Sequence, residues 1–271
     1  MNLKTSSSWI KPIAKLGLAA KGIVYCLIGL LAIMSAFHLG GQTSEKTNKE
    51  GVFQFILEQP AGKLILAVIT LGLFCYAVWR FLQTFLDTER KGSNAKGFAK
   101  RFSYFFSGLT YLALAFFSLK FVLNGRKGGG GGSSQKDTVS DILNQPFGQW
   151  LLGIVALIIA GIGVYQIWYG NSEKYRKHVD LQELDHDAAR SLMRAGKIGY
   201  ISRGIVWLII AFLFLKATLN NKASEAGDTA SAFGFVEQSS FGTYLLAALG
   251  LGLICYGVMN FVRAVFEKIK F

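Results

Sequence analysis

The chain has 271 residues, of which 52% are hydrophobic and only 17% are charged, whereas about 25% of residues are charged in a soluble protein. This composition excludes an ordinary soluble domain, because so much apolar surface would aggregate in water. The formal net charge of +13 would fit a nucleic-acid-binding protein, but the Lys and Arg residues stand beside apolar segments and no recognition motif accompanies them. We therefore expect no nucleic-acid partner and expect contact with the anionic headgroups of membrane lipids.

Six apolar segments are long enough to cross about 30 Å of hydrocarbon as α-helices. They predict an all-α fold, a polytopic membrane helix bundle. In chain order, the predicted transmembrane helices lie at residues 17–38, 63–86, 102–123, 149–170, 198–219 and 243–266.

Two short motifs recur three times along the chain. The first consists of a basic residue, a glycine and the start of an apolar segment. Its copies lie at residues 15–25, 101–111 and 197–207. The second motif ends in a glycine that opens the other apolar segment of each repeat, which is a typical helix start. Its copies end at Gly62, Gly148 and Gly242.

This periodicity predicts three parallel-oriented helical-hairpin repeats around a pseudo-threefold axis along the membrane normal. Small residues fall in register in the second helix of each repeat, and their spacing places them on one helix face. Because close backbone approach holds helices together in lipid, we expect these faces to meet neighbouring helices. They include Gly153, Ala156, Gly163, Ala247, Gly250 and Gly257. The predicted units are repeat one at 1–95, repeat two with a cytoplasmic loop at 96–180, and repeat three at 181–271.

The basic-x-Gly element, its Arg/Lys-Gly-Ile-Val-aromatic continuation and the Gln-Pro-x-Gly helix start resemble an uncharacterised bacterial membrane family, domain of unknown function 1206. The resemblance covers the chain from about residue 11 to residue 265. It implies six spans arranged as three two-helix repeats, and the family brings no established activity. Repeat two departs most from the pattern: Ser103 replaces the first glycine and Ser107 replaces the basic residue.

The distribution of Lys and Arg predicts the orientation of the chain in the membrane. Seventeen of these residues, including Arg263 near the end of the sixth span, stand at the two termini and in the two segments on the same side. Seven, including Lys63 at the start of the second span, stand in the three segments on the other side. By the positive-inside rule, we expect a multi-pass protein of the bacterial inner (cytoplasmic) membrane with both termini in the cytoplasm.

Lys21 and Arg203 are candidate site residues for binding an anion or a lipid headgroup. They occupy equivalent positions, one helical turn before Tyr25 and Trp207, while Ser107 interrupts the set in repeat two. They either form part of a ring that binds anions or lipid phosphates, or they snorkel to the inner interface beside an aromatic belt. Further candidates for headgroup contact at this face are Lys15, Arg101 and Lys197.

A second set of equivalent positions lies near the cytoplasmic end of the second predicted helix of each repeat: Arg80, Gln166 and Asn260. These side chains either form hydrogen bonds between helices or line a solute path along the axis. Lys120 and Lys216 are equivalent positions near the outer ends of their helices, where we expect them to snorkel to the outer headgroups.

The sequence shows none of the common catalytic motifs. Two of the three histidines lie among carboxylates at residues 178–187, but their spacing matches no common metal site, so a solvated cytoplasmic segment is the favoured interpretation. We expect no enzyme activity, no catalytic residue, no metal and no cofactor.

Two functions fit these patterns. The favoured one is a non-enzymatic scaffold, interaction or lipid-binding helix bundle, whose partners are membrane lipids and either further copies of the chain or another membrane protein. The alternative is a channel or transporter with a path along the pseudo-threefold axis. We expect no continuous water-filled path, because the polar positions noted above stand only near the two membrane faces and no Asp or Glu falls within the central spans.

Overall fold

A computed structural model describes residues 3–41, 43–86, 94–125, 131–179 and 185–267. Over these ranges the chain forms α-helices and short 3₁₀ turns without a β-strand. Six helices are long and apolar enough to cross a membrane. The predicted all-α membrane bundle with six spanning helices is therefore confirmed, and the protein is a multi-pass membrane protein. Part of the predicted 178–187 segment, residues 180–184, lies outside the described residues.

Each repeat contains two long helices joined by a segment with one short helix. The long helices are α1 (Leu3–Ala36), α3 (Gly62–Phe85), α4 (Ala95–Asn124), α6 (Gly148–Asn171), α7 (His186–Asn220) and α9 (Gly242–Phe266). The short linker helices are α2 (Lys49–Leu57), α5 (Gly131–Leu143) and α8 (Thr229–Glu237). We call the end of the bundle where α1 begins and α9 ends the terminal end, and the opposite end, with the linker helices, the linker end.

The second long helix of each repeat, which is α3, α6 or α9, begins at the motif glycine, as predicted. Glycine is required there for space: a Cβ atom on Gly62 would overlap the carbonyl oxygen of Ile56, six residues earlier. The residue before Gly62, Ala61, has a left-handed backbone with φ of 58°. The motif thus folds the end of each linker helix tightly back onto the start of the next long helix.

Two linker helices are joined to each other through their N-caps. The side-chain oxygen of Asn48 accepts a hydrogen bond from the Gly51 amide at 2.8 Å, and Asp228 accepts one from the Ser231 amide at 3.1 Å. The Asn48 amide nitrogen also donates to the Asp228 carboxylate at 2.7 Å. Repeats one and three are therefore connected at the linker end by two capping residues.

The long helices form an arc in the order α4, α3, α1, α9, α7 and α6. Neighbours from different repeats pack along one another: α3 against α4, α9 against α1, and α6 against α7. Within repeats one and three, the two long helices also pack together, but α4 and α6 of repeat two make no extended contact over the described residues. The ring expected around a pseudo-threefold axis is consequently open at repeat two.

Small residues bring the packed helices into backbone contact. A Cβ atom on Gly257 would lie 2.8 Å from the Gly22 carbonyl oxygen, and one on Gly163 would lie 3.0 Å from that of Gly204. These distances confirm the predicted close faces at Gly163 and Gly257. Gly153 is packed less tightly than expected, since its Cβ would meet only Thr218, at 3.8 Å.

Candidate anion-binding site

Lys21 lies in the core of the bundle and is only 4% exposed. Its Nζ atom donates a hydrogen bond to the Tyr76 hydroxyl at 3.4 Å and lies 5.2 Å from the centroids of the Tyr76 and Tyr256 rings. It is also 5.6 Å from the Tyr111 ring centroid. The structure therefore contradicts the snorkelling interpretation of Lys21: its charge lies where helices α1, α3, α4 and α9 converge.

Arg203 meets the same group of tyrosines from α7. One terminal nitrogen donates to the Tyr256 hydroxyl at 2.7 Å and to the side-chain oxygen Oε1 of Gln166 at 3.3 Å. The guanidinium carbon lies 4.7 Å from the Tyr256 ring and 5.1 Å from the Tyr25 ring. Tyr256 is thus shared between Arg203 and Lys21. The Arg203 Nε atom is buried and has no hydrogen-bond partner among the described residues.

Arg80 extends the group towards the terminal end. Its Nε atom donates to the Tyr76 hydroxyl at 2.9 Å, and a terminal nitrogen donates to Gln83 at 2.9 Å. The guanidinium also lies 5.1 Å from the Tyr104 ring. Because Lys21 binds the same Tyr76 hydroxyl, the two cations share one phenol.

Lys49 enters from the linker end at the start of α2. Its Nζ atom lies 6.0 Å from the centroid of Tyr111, the ring that also faces Lys21. Burial lowers the pKa of Lys49 from 10.5 to about 8; the charge of Arg203 also lowers it, and that of Asp228 raises it. We define the cation–tyrosine cluster as Lys21, Lys49, Arg80, Arg203, Tyr25, Tyr76, Tyr111 and Tyr256.

Lys21 and Tyr111 of the cluster lie several helical turns inside the spans. Lys21 lies ten residues beyond Lys11, where the first span begins, which is about 15 Å at 1.5 Å per residue. Tyr111 lies fourteen residues beyond Gly97, where the third span begins, or about 21 Å. Lys21 points into the bundle, and the tyrosine hydroxyls place further polar groups beside it. The expectation that no continuous water-filled path crosses the membrane stays a prediction.

The positive charge of the cluster has little opposing charge nearby. Of the six described spans, only that of α7 contains an acidic residue, Asp187 at its start. Asp228 acts on Lys49, while Glu267 pairs with Arg263 at 2.6 Å. Aromatic faces stabilise a cation by about 0.5–2 kcal/mol, less than the several kcal/mol that burying a charge costs. Over the described residues, the cluster therefore carries more positive than negative charge.

Other predicted site residues lie apart from the cluster. Lys15 is exposed. Arg101 donates to the Thr84 carbonyl oxygen at 2.7 Å, near the C-terminus of α3, and Lys197 lies 3.8 Å from the Glu173 carboxylate. Contact of these three side chains with lipid headgroups stays a prediction.

The equivalent set Arg80, Gln166 and Asn260 divides in two. Arg80 belongs to the cluster and binds Tyr76, and Gln166 accepts a hydrogen bond from Arg203 of the cluster. The Asn260 amide nitrogen instead donates to the Tyr256 carbonyl oxygen at 2.6 Å within its own helix, a packing role.

The sequence analysis did not single out Lys49, nor Tyr76 on α3 and Tyr256 on α9. A signal for the tyrosines was present, because Tyr76 and Tyr256 both stand fourteen residues after a motif glycine. In repeats one and three, this tyrosine binds the repeated basic residue. No comparable signal marked Lys49, which was counted only among the outer charges.

A cavity of about 610 Å³ opens at the linker end. Its lining includes Asn48, the residue before Lys49, together with Asp228, Glu225 and Lys216. The described residues that line the cavity include none of the residues of the cluster. Lys216 lies 3.9 Å from Glu225, so this lysine has an acidic neighbour within the protein.

Comparison with known proteins identifies the repeats. The family model described as Domain of Unknown Function (DUF1206) matches three segments, residues 16–87, 102–172 and 198–267. A relative from Bacillus subtilis (strain 168), "Uncharacterized protein YxxB", is 29% identical over 259 residues, which cover 96% of this chain and 92% of the relative. No solved structure matches the chain significantly.

Proposed function

The chain belongs to the DUF1206 family, and from this premise we propose that it is a non-enzymatic protein of the bacterial inner membrane that binds a phosphate-class anion in its cation–tyrosine cluster. The anion is either the headgroup of an acidic lipid or a free phosphate. The observation that carries the proposal is the convergence of the buried Lys21 and the half-buried Arg203 and Arg80 on shared tyrosines, without a carboxylate in the surrounding spans apart from that of Asp187 at the start of α7.

The chemistry of the two central cations suits a phosphate group. Arg203 presents a planar fork that binds phosphate oxygens in pairs, and Lys21 adds a compact point charge. Tyrosine hydroxyls can donate further hydrogen bonds to the same oxygens.

Ligand-dependent thermal stability of the full chain tests this proposal. The protein is placed in nanodiscs of neutral phosphatidylcholine, and its Tm is measured with added phosphatidylglycerol or with inorganic phosphate. A ligand at one hundred times its Kd should stabilise the wild type by about 2.7 kcal/mol. Stabilisation by phosphatidylglycerol alone identifies a lipid, and stabilisation by both probes identifies the phosphate group as sufficient.

The variants Lys21→Met and Arg203→Met should lose this stabilisation. Each variant removes a charge, and Arg203→Met also removes the hydrogen bonds to Tyr256 and Gln166, which should lower the Tm before ligand is added. The measured quantity is therefore the change in Tm on adding ligand to each variant, which separates loss of binding from loss of stability. Lys120→Met removes an exposed lysine and should respond like the wild type. An unchanged response of both cluster variants would refute the proposal.

One observation favours a second function, passage of an anion. Cations on shared tyrosine rings reach from Arg80 through Lys21 to Lys49, and so from the terminal end towards the linker end. Along such a series, an anion would move from one positively charged side chain to the next. Anion flux into liposomes, compared between the wild type and the double variant Lys21→Ala/Arg80→Ala, decides this point. Protein-dependent flux that the double variant abolishes would replace binding by transport.

A further inference from the structure

The gap between α4 and α6 faces the membrane. We call it the lateral opening and define it by Ser103, Ser107 and Thr110 on α4 and by Ile158 and Ile162 on α6. The two helices that flank it are the least buried spans of the protein, with 28% and 22% of their apolar stretches buried. Hydrocarbon chains of the bilayer therefore have direct access to this side of the bundle.

Residue changes in repeat two explain why the hairpin is open there. In repeat one, a Cβ atom on Gly17 would lie 2.6 Å from the Tyr76 Cα, and in repeat three one on Gly199 would lie 2.5 Å from the Tyr256 Cα. Both hairpins therefore cross in close contact. The equivalent positions of repeat two are Ser103 on α4 and Ile162 on α6, and Ile162 is 39% exposed.

A second crossing contact is also missing. Gly72 packs directly against Ala20, and Gly252 packs directly against Ser202. Their equivalents in repeat two are Ile158 and Phe106, which are 58% and 51% exposed. Two large side chains cannot occupy the space of a glycine and a small residue.

The binding pair of a cation and a tyrosine is absent from repeat two as well. Lys21 binds Tyr76 in repeat one, and Arg203 binds Tyr256 in repeat three, whereas repeat two has Ser107 and Ile162 at these positions. The same substitutions thus remove the contacts that would close the hairpin and leave the cluster without a cation on that side.

The two walls of the lateral opening differ in chemistry. Ser103, Ser107 and Thr110 have the spacing of one helix face, so α4 carries a stripe of hydroxyl groups. The opposite wall on α6 is aliphatic, with Ile158 and Ile162 exposed. A polar wall facing an apolar wall matches a molecule that has a polar headgroup and hydrocarbon chains.

Both walls lead directly to the cluster. Tyr111 follows Thr110 on α4, and its ring faces Lys21. Gln166 lies one helical turn beyond Ile162 on α6, and its side chain accepts a hydrogen bond from Arg203. Lys21 and Arg203 thus contact residues on both helices that flank the lateral opening.

We propose that the lateral opening admits an acidic glycerophospholipid from within the bilayer, with its phosphate directed to Lys21 and Arg203 and its acyl chains against α6. This inference rests on the proposed anion binding and names its ligand. Charge complementarity selects an acidic lipid, because the cluster is cationic and its surrounding spans lack carboxylates apart from Asp187 at the start of α7. The membrane-facing position selects a lipid over a soluble anion.

Photo-crosslinking of the full chain in vesicles tests the route. A benzophenone amino acid replaces Thr110 at the lateral opening or, as the control, Leu71 on the lipid-facing side of α3, which is 57% exposed. The vesicles contain equal amounts of phosphatidylglycerol and phosphatidylcholine. The ratio of the two lipid adducts should be about fivefold higher at position 110 than at position 71, the factor expected for one cation contact.

Cluster variants connect this ratio to the cations. Combining the position 110 probe with Lys21→Met/Arg203→Met should lower the adduct ratio to that of the control position, while Lys21→Arg should retain it. Equal ratios at the two positions, together with intact lipid-induced stabilisation, would overturn the lateral route and leave the proposed function standing. Crosslinking of position 110 chiefly to a second copy of the chain would also overturn it. Loss of stabilisation and of the adduct preference together would remove both proposals.

Discussion

At the scale of single residues, Lys49 shows how the fold changes the pKa of a lysine outside the spans. The residue stands at the start of α2, where burial and the nearby Arg203 lower its pKa to about 8 and Asp228 opposes that shift. Its ammonium group lies 6.0 Å from the Tyr111 ring. A lysine that is easily deprotonated makes the stability of the protein depend on pH.

The variant Lys49→Met should reveal this dependence. Between pH 8 and pH 10.5, the unfolded chain binds more protons at Lys49 than the folded protein, so stability rises with pH in that window. The Tm difference between wild type and Lys49→Met should therefore become more favourable to the wild type from pH 7.5 to pH 10. A difference that stays constant or moves the other way would show that Lys49 is not buried as described.

Gly257 offers a test of the close contact between α9 and α1. In Gly257→Ala, the new Cβ would lie 2.8 Å from the Gly22 carbonyl oxygen, and such overpacking costs about 1–3 kcal/mol. Gly161→Ala is the matched control, because its Cβ would meet nothing within 4 Å. Thermal unfolding in detergent should show destabilisation of the first variant alone. Equal behaviour of the two variants would mean that α9 and α1 are further apart.

At the scale of elements, the linker helices hold repeats one and three together. Asn48 caps α2 and donates to Asp228, which caps α8. The same contact places Lys49, the next residue, against the cluster. A single asparagine therefore links the fold of the linker end to the geometry of the site.

Replacing this cap should loosen α2. Asn48→Ala removes a capping side chain, a change that typically costs about 0.5–2 kcal/mol, and also removes the bond to Asp228. Hydrogen exchange should accelerate at the amides of α2 and at the first turn of α8. Asn144→Ala, at an exposed asparagine just beyond α5, should leave both unchanged. Unaltered exchange in Asn48→Ala would indicate that packing alone holds the linker helices.

Much of this architecture could be predicted from sequence, because it depends on local pattern. The length of the apolar segments predicts the six spans, and the motif glycines predict where α3, α6 and α9 begin. The depth of Lys21 could not be predicted, since a lysine near a helix end snorkels unless neighbouring helices enclose it. The departures at Ser103 and Ser107 are visible in the sequence, but their consequence follows from the close contacts that Gly17 and Gly199 make with Tyr76 and Tyr256, which only the structure shows.

At the scale of the whole molecule, the orientation of the chain in the membrane is a prediction that labelling can test. The Lys and Arg distribution predicts that the terminal end is cytoplasmic. In a variant without native cysteines, single cysteines at the exposed positions Asp141 and Lys222 of the linker end should react with an impermeant maleimide on intact cells. Cysteines at the exposed positions Asn94 and Asp187 should react only after lysis. The reverse pattern would invert the protein and place the linker-end cavity in the cytoplasm.

The central claim is that buried cations of the cluster hold an acidic lipid. Native mass spectrometry tests it most directly, with the full chain released from nanodiscs that contain equal amounts of phosphatidylglycerol and phosphatidylcholine. The wild type and Lys120→Met should retain one phosphatidylglycerol molecule, and Lys21→Met/Arg203→Met should retain none beyond the level of phosphatidylcholine. Equal retention of phosphatidylglycerol by the wild type and the double variant would contradict the account.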